Sequence, residues 1–171
     1  MSQRSPVTAV GSLDLNRYSG LWYELGRLPL RWEEADASDI TAEYTPQEDG
    51  SVRVDNRCID KDGAPSQAIG HATPVNGRAG RLEVSFLPQF LRWIPFTKGD
   101  YWVLKIDDAY TVALVGTPDR KNLWLLAREP RIDDATKAAY LAEATLQGFD
   151  LEKWITPNQS GRRVTDDLLN G

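Results

Sequence analysis

The sequence predicts an all-β protein, an eight-stranded antiparallel up-and-down β-barrel with one C-terminal α-helix packed on its outside. Three observations predict it. Short segments with apolar residues at every second position recur over the first three quarters of the chain, which is typical of half-buried strands. Short turns rich in Gly, Pro, Asn and Asp separate them, so strands that are adjacent in sequence are expected to be adjacent in the sheet. A single helical pattern follows the last of these segments.

The first strand follows Gly20 and extends to about Arg27. Alternation predicts that its inner face carries Trp22, Glu24, Gly26 and Leu28, with Tyr23, Leu25 and Arg27 on the outer face. Seven further strands are predicted at residues 39–45, 51–59, 66–73, 80–86, 99–106, 110–116 and 123–128. Each is bounded by residues that favour turns, such as Asp62-Gly63 and Asn76-Gly77.

A helix is predicted over residues 134–147, because Asp133 can cap its start and Gly148 can end it. Residues 149–155 are predicted to form a short ninth extended segment. The expected organisation is an N-terminal arm at 1–12, the barrel and helix at 13–156, and a C-terminal tail without periodicity at 157–171.

Composition excludes several classes of protein. The 171 residues suffice for one domain with a substantial core. The formal net charge of -5 and the lack of any basic run longer than two residues argue against a nucleic-acid partner. No apolar stretch approaches the roughly 20 residues of a membrane-spanning helix. Cys58 is the only cysteine, so no intrachain disulfide is possible.

One aromatic and one cationic residue, far apart in the sequence, are predicted to meet at one end of the barrel. Trp22 follows Gly20 at the start of the first strand, and Arg128 ends the last strand. A guanidinium can lie over an indole ring, and the first and last strands of a closed sheet are neighbours. We therefore expect Gly20, Trp22 and Arg128 to form a structural latch that joins these strands.

Several motifs together resemble the lipocalin family, in particular the bacterial-type lipocalins, over residues 13–156. The matching motifs are Gly20-Leu21-Trp22-Tyr23-Glu24, Gly99-Asp100-Tyr101-Trp102-Val103, Gly116-Thr117-Pro118-Asp119-Arg120, Leu123-Trp124-Leu125-Leu126-Ala127-Arg128 followed by Pro130, and the helix that ends in Gly148-Phe149-Asp150. The resemblance implies a barrel that binds a small hydrophobic ligand, for transport or storage.

The location of the protein is left open by the sequence. The bacterial branch of the family is commonly exported and sometimes lipid-anchored, whereas the first residues show no apolar segment and no cysteine for lipid attachment. We expect the cell envelope, periplasm or outer membrane, if a signal has been removed, and the cytoplasm otherwise.

The predicted inner face favours a cavity over a filled interior, because small residues on several strands lie between large ones. An apolar cavity with a few polar groups suits a fatty acid or a lysophospholipid-like lipid. The expected ligand-binding residues are Glu24, Leu28, Tyr44, Val54, Asn56, Cys58, Phe86, Tyr101, Val103, Ala113, Trp124 and Leu126. Glu24 and Asn56 could satisfy buried groups near the barrel floor or a trapped water, or they could bind a ligand's polar head.

Catalysis is not expected. His71 is the only histidine, and alternation places it on the outer face, so histidine triads and multi-histidine metal sites are excluded. Cys58 is interpreted as a small buried residue. We expect no cofactor and no metal. Two alternatives stay open, a lipocalin that binds haem or another tetrapyrrole through Tyr44, Tyr101 or Cys58, and a non-catalytic interaction protein with a collapsed cavity.

One apolar segment follows neither strand nor helix periodicity. Residues 87–98 hold six large apolar side chains and two prolines. Alternation of the hairpins places this loop at the open end, together with Trp32. We expect a cavity mouth formed by Trp32, Phe90, Trp93 and Phe96. The segment could fold back on the core, contact a membrane surface, or bury itself in a partner subunit, so the protein is expected to be a monomer or a homodimer.

Overall fold

The computed structural model describes residues 5–30, 35–86 and 98–171. Its eight strands form one closed antiparallel barrel in which each strand pairs with its sequence neighbours and β1 pairs with β8. The strands are β1 Gly20–Arg27, β2 Ser38–Pro46, β3 Val52–Ile59, β4 Pro65–Pro74, β5 Arg81–Ser85, β6 Gly99–Ile106, β7 Val112–Gly116 and β8 Leu123–Ala127. The predicted fold class is confirmed.

In the described residues three helices accompany the barrel, α1 Leu15–Tyr18, α2 Asp134–Leu146 and α3 Asp166–Asn170. The predicted α2 is present, and its N-cap Asp133 accepts a hydrogen bond from the amide of Thr136. The predicted ninth strand is reduced to one bridge, in which Ile155 pairs with Arg27. Among the described residues, no helix has the length and apolar character needed to cross a membrane.

Two apolar clusters stabilise the fold. One fills the narrow end of the barrel interior around Trp22 and Val103. The other lies between the outer barrel surface and α2, around Leu125, Tyr140 and Phe149. The β-turns after β2, β4 and β6 lie at the same end as Trp22, and α1 packs there too, so this end is closed. The cavity opens at the opposite end.

Strand β1 contains an irregularity that reverses its alternation. Its pairing with β8 shifts between Glu24 and Gly26, and beyond the shift Arg27 lies opposite Trp124. The prediction for these positions was therefore wrong: Arg27 faces the interior, while Gly26 and Leu28 face outward. At Gly26 an added Cβ would lie 2.1 Å from the Trp154 ring, so only glycine permits this contact.

The C-terminal segment, predicted as an aperiodic tail, packs along the barrel. The side-chain amide of Gln159 donates to the carbonyls of both Glu24 and Ile40, at 2.8 Å each. Ser160 donates from its amide to Asp39 at 2.7 Å. Pairing of β1 with β2 is confined to the stretch from Gly20 to Tyr23, so these hydrogen bonds join the two strands where their own ladder has ended.

A buried carboxylate on the outer face of the barrel holds residues 164–166 of the C-terminal segment, through Arg57. Asp55 is 5% exposed and accepts hydrogen bonds from Arg57 at 3.0 Å and from Gln67. Arg57 also donates to the carbonyl of Val164 and pairs with Asp166. Burial raises the pKa of Asp55, but hydrogen bonds from Arg57 and Gln67 outweigh it and hold this pKa below its usual value.

This lowered pKa predicts acid sensitivity. Because the folded-state pKa of Asp55 lies below the unfolded value of about 3.9, its stabilisation is complete above that pH and is lost as the pH falls through the folded-state pKa. We expect Asp55→Asn to lower the free energy of unfolding by about 2 kcal/mol at neutral pH, and by progressively less below about pH 4. Urea denaturation at a series of pH values measures this.

The matched control is Asp166→Asn, because Asp166 pairs with the same arginine but its side chain is 79% exposed. It should change stability little at any pH. An Asp55→Asn deficit that stays constant down to pH 2 would contradict the assignment.

Candidate functional site

The barrel encloses a cavity of about 930 Å³. It begins above the packed cluster at the closed end and reaches the loops at the open end. One wall, on β3 and β4, carries short side chains, among them Asn56, Ala68 and Ala72. The wall formed by β6 and β8 carries Tyr101 and Trp124, whose rings stack with centroids 6.5 Å apart. This asymmetry leaves room for a ligand against flat aromatic surfaces.

Nine of the twelve residues expected to bind ligand lie in the cavity wall. They are Glu24, Tyr44, Val54, Asn56, Cys58, Phe86, Tyr101, Trp124 and Leu126. The Phe86 ring lies against Gly70 on the neighbouring strand and is 43% exposed, as suits a position near the mouth. That these residues contact a ligand stays a prediction.

The other three do not line the cavity. Leu28 lies in the outer cluster beneath α2, because the irregularity in β1 turns it outward. Val103 and Ala113 belong to the inner cluster and are fully buried in it. They lie in the part of the barrel that side chains fill, on the closed side of the cavity.

The cavity mouth is polar in the described residues. Side chains from the loop after β3, from the start of β6 and from the loop after β7 line it, among them Asp60, Lys98, Asp100, Asp119 and Asn122. Burial, together with nearby Glu83 and Asp119, raises the pKa of Asp100. The residues predicted to form an apolar mouth, Trp32, Phe90, Trp93 and Phe96, lie outside the described residues.

Three tyrosine hydroxyls meet in the deep part of the cavity. Tyr101 is hydrogen-bonded to Tyr18 at 2.5 Å and to Tyr44 at 2.7 Å between oxygens. Burial raises the pKa of each of these hydroxyls. Sequence analysis missed Tyr18, which lies on the one-turn helix α1. The available signal was Asp14, which caps α1 by accepting from the amide of Asn16.

A buried ion pair lies beside this cluster. Arg27 donates to Glu24 at 2.9 Å, and the side chains are 0% and 6% exposed. Glu24 therefore has a protein partner, as one of its two expected roles required. Sequence analysis missed Arg27, because an irregularity in a strand leaves no mark in the alternation of apolar residues.

The closed end carries the predicted contact between the first and last strands. The guanidinium of Arg128 lies 3.9 Å from the centre of the Trp22 ring. It also donates to the carbonyls of Leu21 at 2.9 Å and Tyr110 at 3.0 Å. Gly20 has φ 98°, and an added Cβ would lie 3.4 Å from Arg128. The cation and the ring therefore close the barrel floor, outside the cavity wall.

The single histidine and the single cysteine of the chain lie on opposite faces of the barrel wall. His71 lies on the outer face, paired in register with Arg53 and Ser85. Cys58 lines the cavity. Within the described ranges, no group of three or more His, Cys, Asp and Glu side chains is placed to hold a metal ion. The tetrapyrrole alternative would use Tyr44, Tyr101 or Cys58 as an iron ligand. All three line the cavity, and the hydroxyls of Tyr44 and Tyr101 are hydrogen-bonded to each other.

Comparisons with known proteins agree with this architecture. A family model described as a lipocalin-like domain matches residues 13–159. The chain is 40% identical over 158 residues to the outer membrane lipoprotein Blc of Escherichia coli (strain K12), spanning 91% of this chain and 84% of that protein. It is 36% identical over 163 residues to temperature-induced lipocalin-1 of Arabidopsis thaliana, spanning 94% and 87%.

Solved structures share the fold at lower identity. Apocrustacyanin C1 superposes with a TM-score of 0.71 at 13% identity, over 92% of this chain and 86% of that chain. Insecticyanin of the tobacco hornworm Manduca sexta superposes with a TM-score of 0.69 at 20% identity, over 97% and 88%. At these identities the likeness shows the fold alone.

Proposed function

Because the chain belongs to the lipocalin family, we propose that it binds a fatty acid or a lysophospholipid-like lipid in the barrel cavity, for transport or storage. The observation that carries the proposal is the cavity itself, about 930 Å³ in volume and walled largely by apolar side chains. Sites for small molecules commonly occupy this range of volume. Lipocalins are in general binding proteins rather than enzymes, which supports a carrier over a catalyst.

The polarity of the two ends supports one orientation of the lipid. The head group lies among the charged and amide side chains of the mouth, and the acyl chain extends inward along Tyr101 and Trp124. Lys98 at the mouth, whose ammonium lies 3.9 Å from the carboxylate of Glu83, supplies a cation for a carboxylate or phosphate. Burial of ten methylenes contributes about 8 kcal/mol, which corresponds to about micromolar affinity.

Titration with octadecanoate should therefore change tryptophan emission in a saturable manner, with a dissociation constant of about 1 μM. Trp124 lies in the cavity wall, so a bound chain alters its surroundings directly. Native mass spectrometry of the purified protein should in addition detect a co-purified lipid. A linear, non-saturable emission change, with no lipid in the mass spectrum, would contradict the proposal.

The segment at residues 87–98 is proposed to contact membranes and to guide lipid into the cavity. Its sequence supports this, because an indole beside cationic side chains suits a lipid head-group boundary. We expect the double variant Trp93→Ser, Phe96→Ser to slow lipid uptake from phospholipid vesicles several-fold, with unchanged affinity for monomeric octadecanoate. The alternative, burial in a partner subunit, predicts instead a change in oligomeric state on sedimentation.

We propose the cell envelope as the location, provided that a signal directs export. The related proteins from Escherichia coli and Vibrio cholerae are named outer membrane lipoproteins, which supports this location. Cell fractionation with an antibody to the protein tests it.

A further inference from the structure

The barrel wall between β1 and β2 is not closed by strand pairing along its whole height. The ladder that joins these strands ends at the pair Tyr23 and Thr41, although β1 continues to Arg27. The unpaired stretch of β1 is about 13 Å long. Side chains that border it, among them Glu24 and Ile40, line the cavity. The unpaired stretch is therefore a slot in the wall of the proposed lipid site.

Residues 155–160 of the C-terminal segment close this slot from outside. On the β1 side, Ile155 exchanges two backbone hydrogen bonds with Arg27, at 2.8 and 3.0 Å. On the β2 side, the amide of Asp39 donates to the carbonyl of Asn158 at 2.9 Å. The side-chain amide of Gln159 lies between the strands and donates to one carbonyl of each, at 2.8 Å. A side chain thus stands where a barrel ladder would be.

This closure contains two features that oppose it. The side-chain oxygen of Gln159 is buried and meets no hydrogen-bond donor among the described residues, so undocking would return it to water and recover the free energy that its burial costs. Asp39, whose carboxylate accepts from the amide and the hydroxyl of Ser160, has φ 49°, a conformation that residues other than glycine seldom adopt. Both features lower the free energy needed to undock the segment.

The chain is anchored on either side of residues 155–160. Before them, Phe149 is 4% exposed in the outer apolar cluster. After them, Val164 is 2% exposed and its carbonyl accepts a hydrogen bond from the barrel. Between the anchors, the ion pair of Arg163 with Glu43 is about half exposed and contributes little. The segment can therefore leave the slot while both of its ends stay attached.

We propose that residues 155–160 form a strap over this slot, and that release of the strap controls how fast lipid enters and leaves the cavity. Without the strap no ladder joins β1 to β2 there, so the strand ends can spread and open a lateral path. This inference rests on the proposed function, since it assumes that a lipid occupies the cavity. The strap lies outside the cavity lining, so its release changes the rates of exchange and leaves the equilibrium affinity nearly unchanged.

The first test is the variant Gln159→Met, which keeps the length of the side chain and removes both donors to the wall. Stopped-flow fluorescence with monomeric octadecanoate gives the association and dissociation rate constants. Both should rise at least about fivefold, because the loss of two hydrogen bonds increases the population of the released strap. The dissociation constant should stay within about twofold of the wild-type value.

The matched control is Tyr140→Phe, which removes a hydrogen bond to the carbonyl of Val112 on the outer surface, away from the slot. It should leave both rate constants within about 1.5-fold of wild type, because it does not favour release of the strap.

Hydrogen exchange on wild-type protein tests the strap without any substitution. The amides of Ile155 and Asp39 donate across the edges of the slot, whereas the amide of Val103 donates to Gly80 in the barrel. If the strap undocks on its own, the first two should show protection at least about a hundredfold lower than that of Val103. This measurement decides the inference even if Gln159→Met does not fold.

Unchanged rate constants in Gln159→Met, with saturable binding retained, would overturn the inference and leave the proposed function intact. Strap amides as strongly protected as that of Val103 would do the same. An equal acceleration in Tyr140→Phe would also overturn it, because the rates would then report a general loosening of the barrel. Absence of saturable octadecanoate binding by wild-type protein overturns the proposed function instead.

Discussion

Replacement of Arg128 by alanine should lower the free energy of unfolding by about 3 kcal/mol, with ligand affinity changed less than threefold. The guanidinium lies over Trp22 at 3.9 Å, which contributes about 1 kcal/mol. It also satisfies backbone carbonyls of Leu21, Arg17 and Tyr110, and part-buried acceptors left without a donor account for the rest. Urea denaturation gives the stability, and fluorescence titration with octadecanoate gives the affinity.

Two control variants test whether the loss of stability comes from the buried contacts of the Arg128 guanidinium. Arg17→Ala removes another arginine that lies over an aromatic ring at the same end, 4.2 Å from the centre of Tyr110, but at an exposed position. It should cost less than about 1 kcal/mol. Arg128→Lys keeps the charge and loses the planar fork of donors, so it should recover only part of the stability. Equal losses of stability and affinity in Arg128→Ala would instead place the arginine in the ligand site.

The regular part of the fold was predictable because its signals are local and periodic. Alternation in segments such as Leu82-Glu83-Val84 predicts strands, and the cap Asp133 with Gly148 defines the helix within one residue. The latch was predictable for another reason. Closure of an up-and-down sheet brings β1 and β8 together, so Trp22 and Arg128 become neighbours without any sequence signal that links them directly.

The missed residues lie where local periodicity fails. The irregularity between Glu24 and Gly26 inverts the faces of the strand end, so Arg27 was assigned outward and Leu28 inward. Such an irregularity adds a residue without changing composition. Tyr18 lies on a single helical turn, too short for a helical period. The C-terminal tail shows no periodicity in the sequence because side chains such as Gln159 hold it against the barrel, rather than a backbone ladder.

The site also depends on how far the interior is filled, which alternation cannot show. Ala113 and Ala72 alternate inward in the same way. Ala113 is fully buried beneath larger neighbours, whereas Ala72 lines the cavity. Enlargement of Ala113 would therefore overpack the closed end and destabilise the protein, and a test of the cavity needs positions that border open space.

Asn56 and Ala68 provide such positions. They are direct partners on β3 and β4, both line the cavity, and Ala68 is exposed to it. The double variant Asn56→Phe, Ala68→Phe should weaken octadecanoate binding at least about tenfold, because two rings occupy volume that the chain needs and remove part of its apolar burial. Stability should change by less than about 1.5 kcal/mol, since the rings enter open space rather than a packed core.

The matched control introduces the same rings on the same two strands, facing outward. Arg53 and His71 are also direct partners, and Arg53→Phe, His71→Phe should leave octadecanoate affinity unchanged. Fluorescence titration of both variants beside wild-type protein, with circular dichroism to verify the fold, completes the comparison. Undiminished binding by the inward variant would mean that the ligand lies outside the barrel, whereas loss of binding in both variants would mean that β3 and β4 had been distorted.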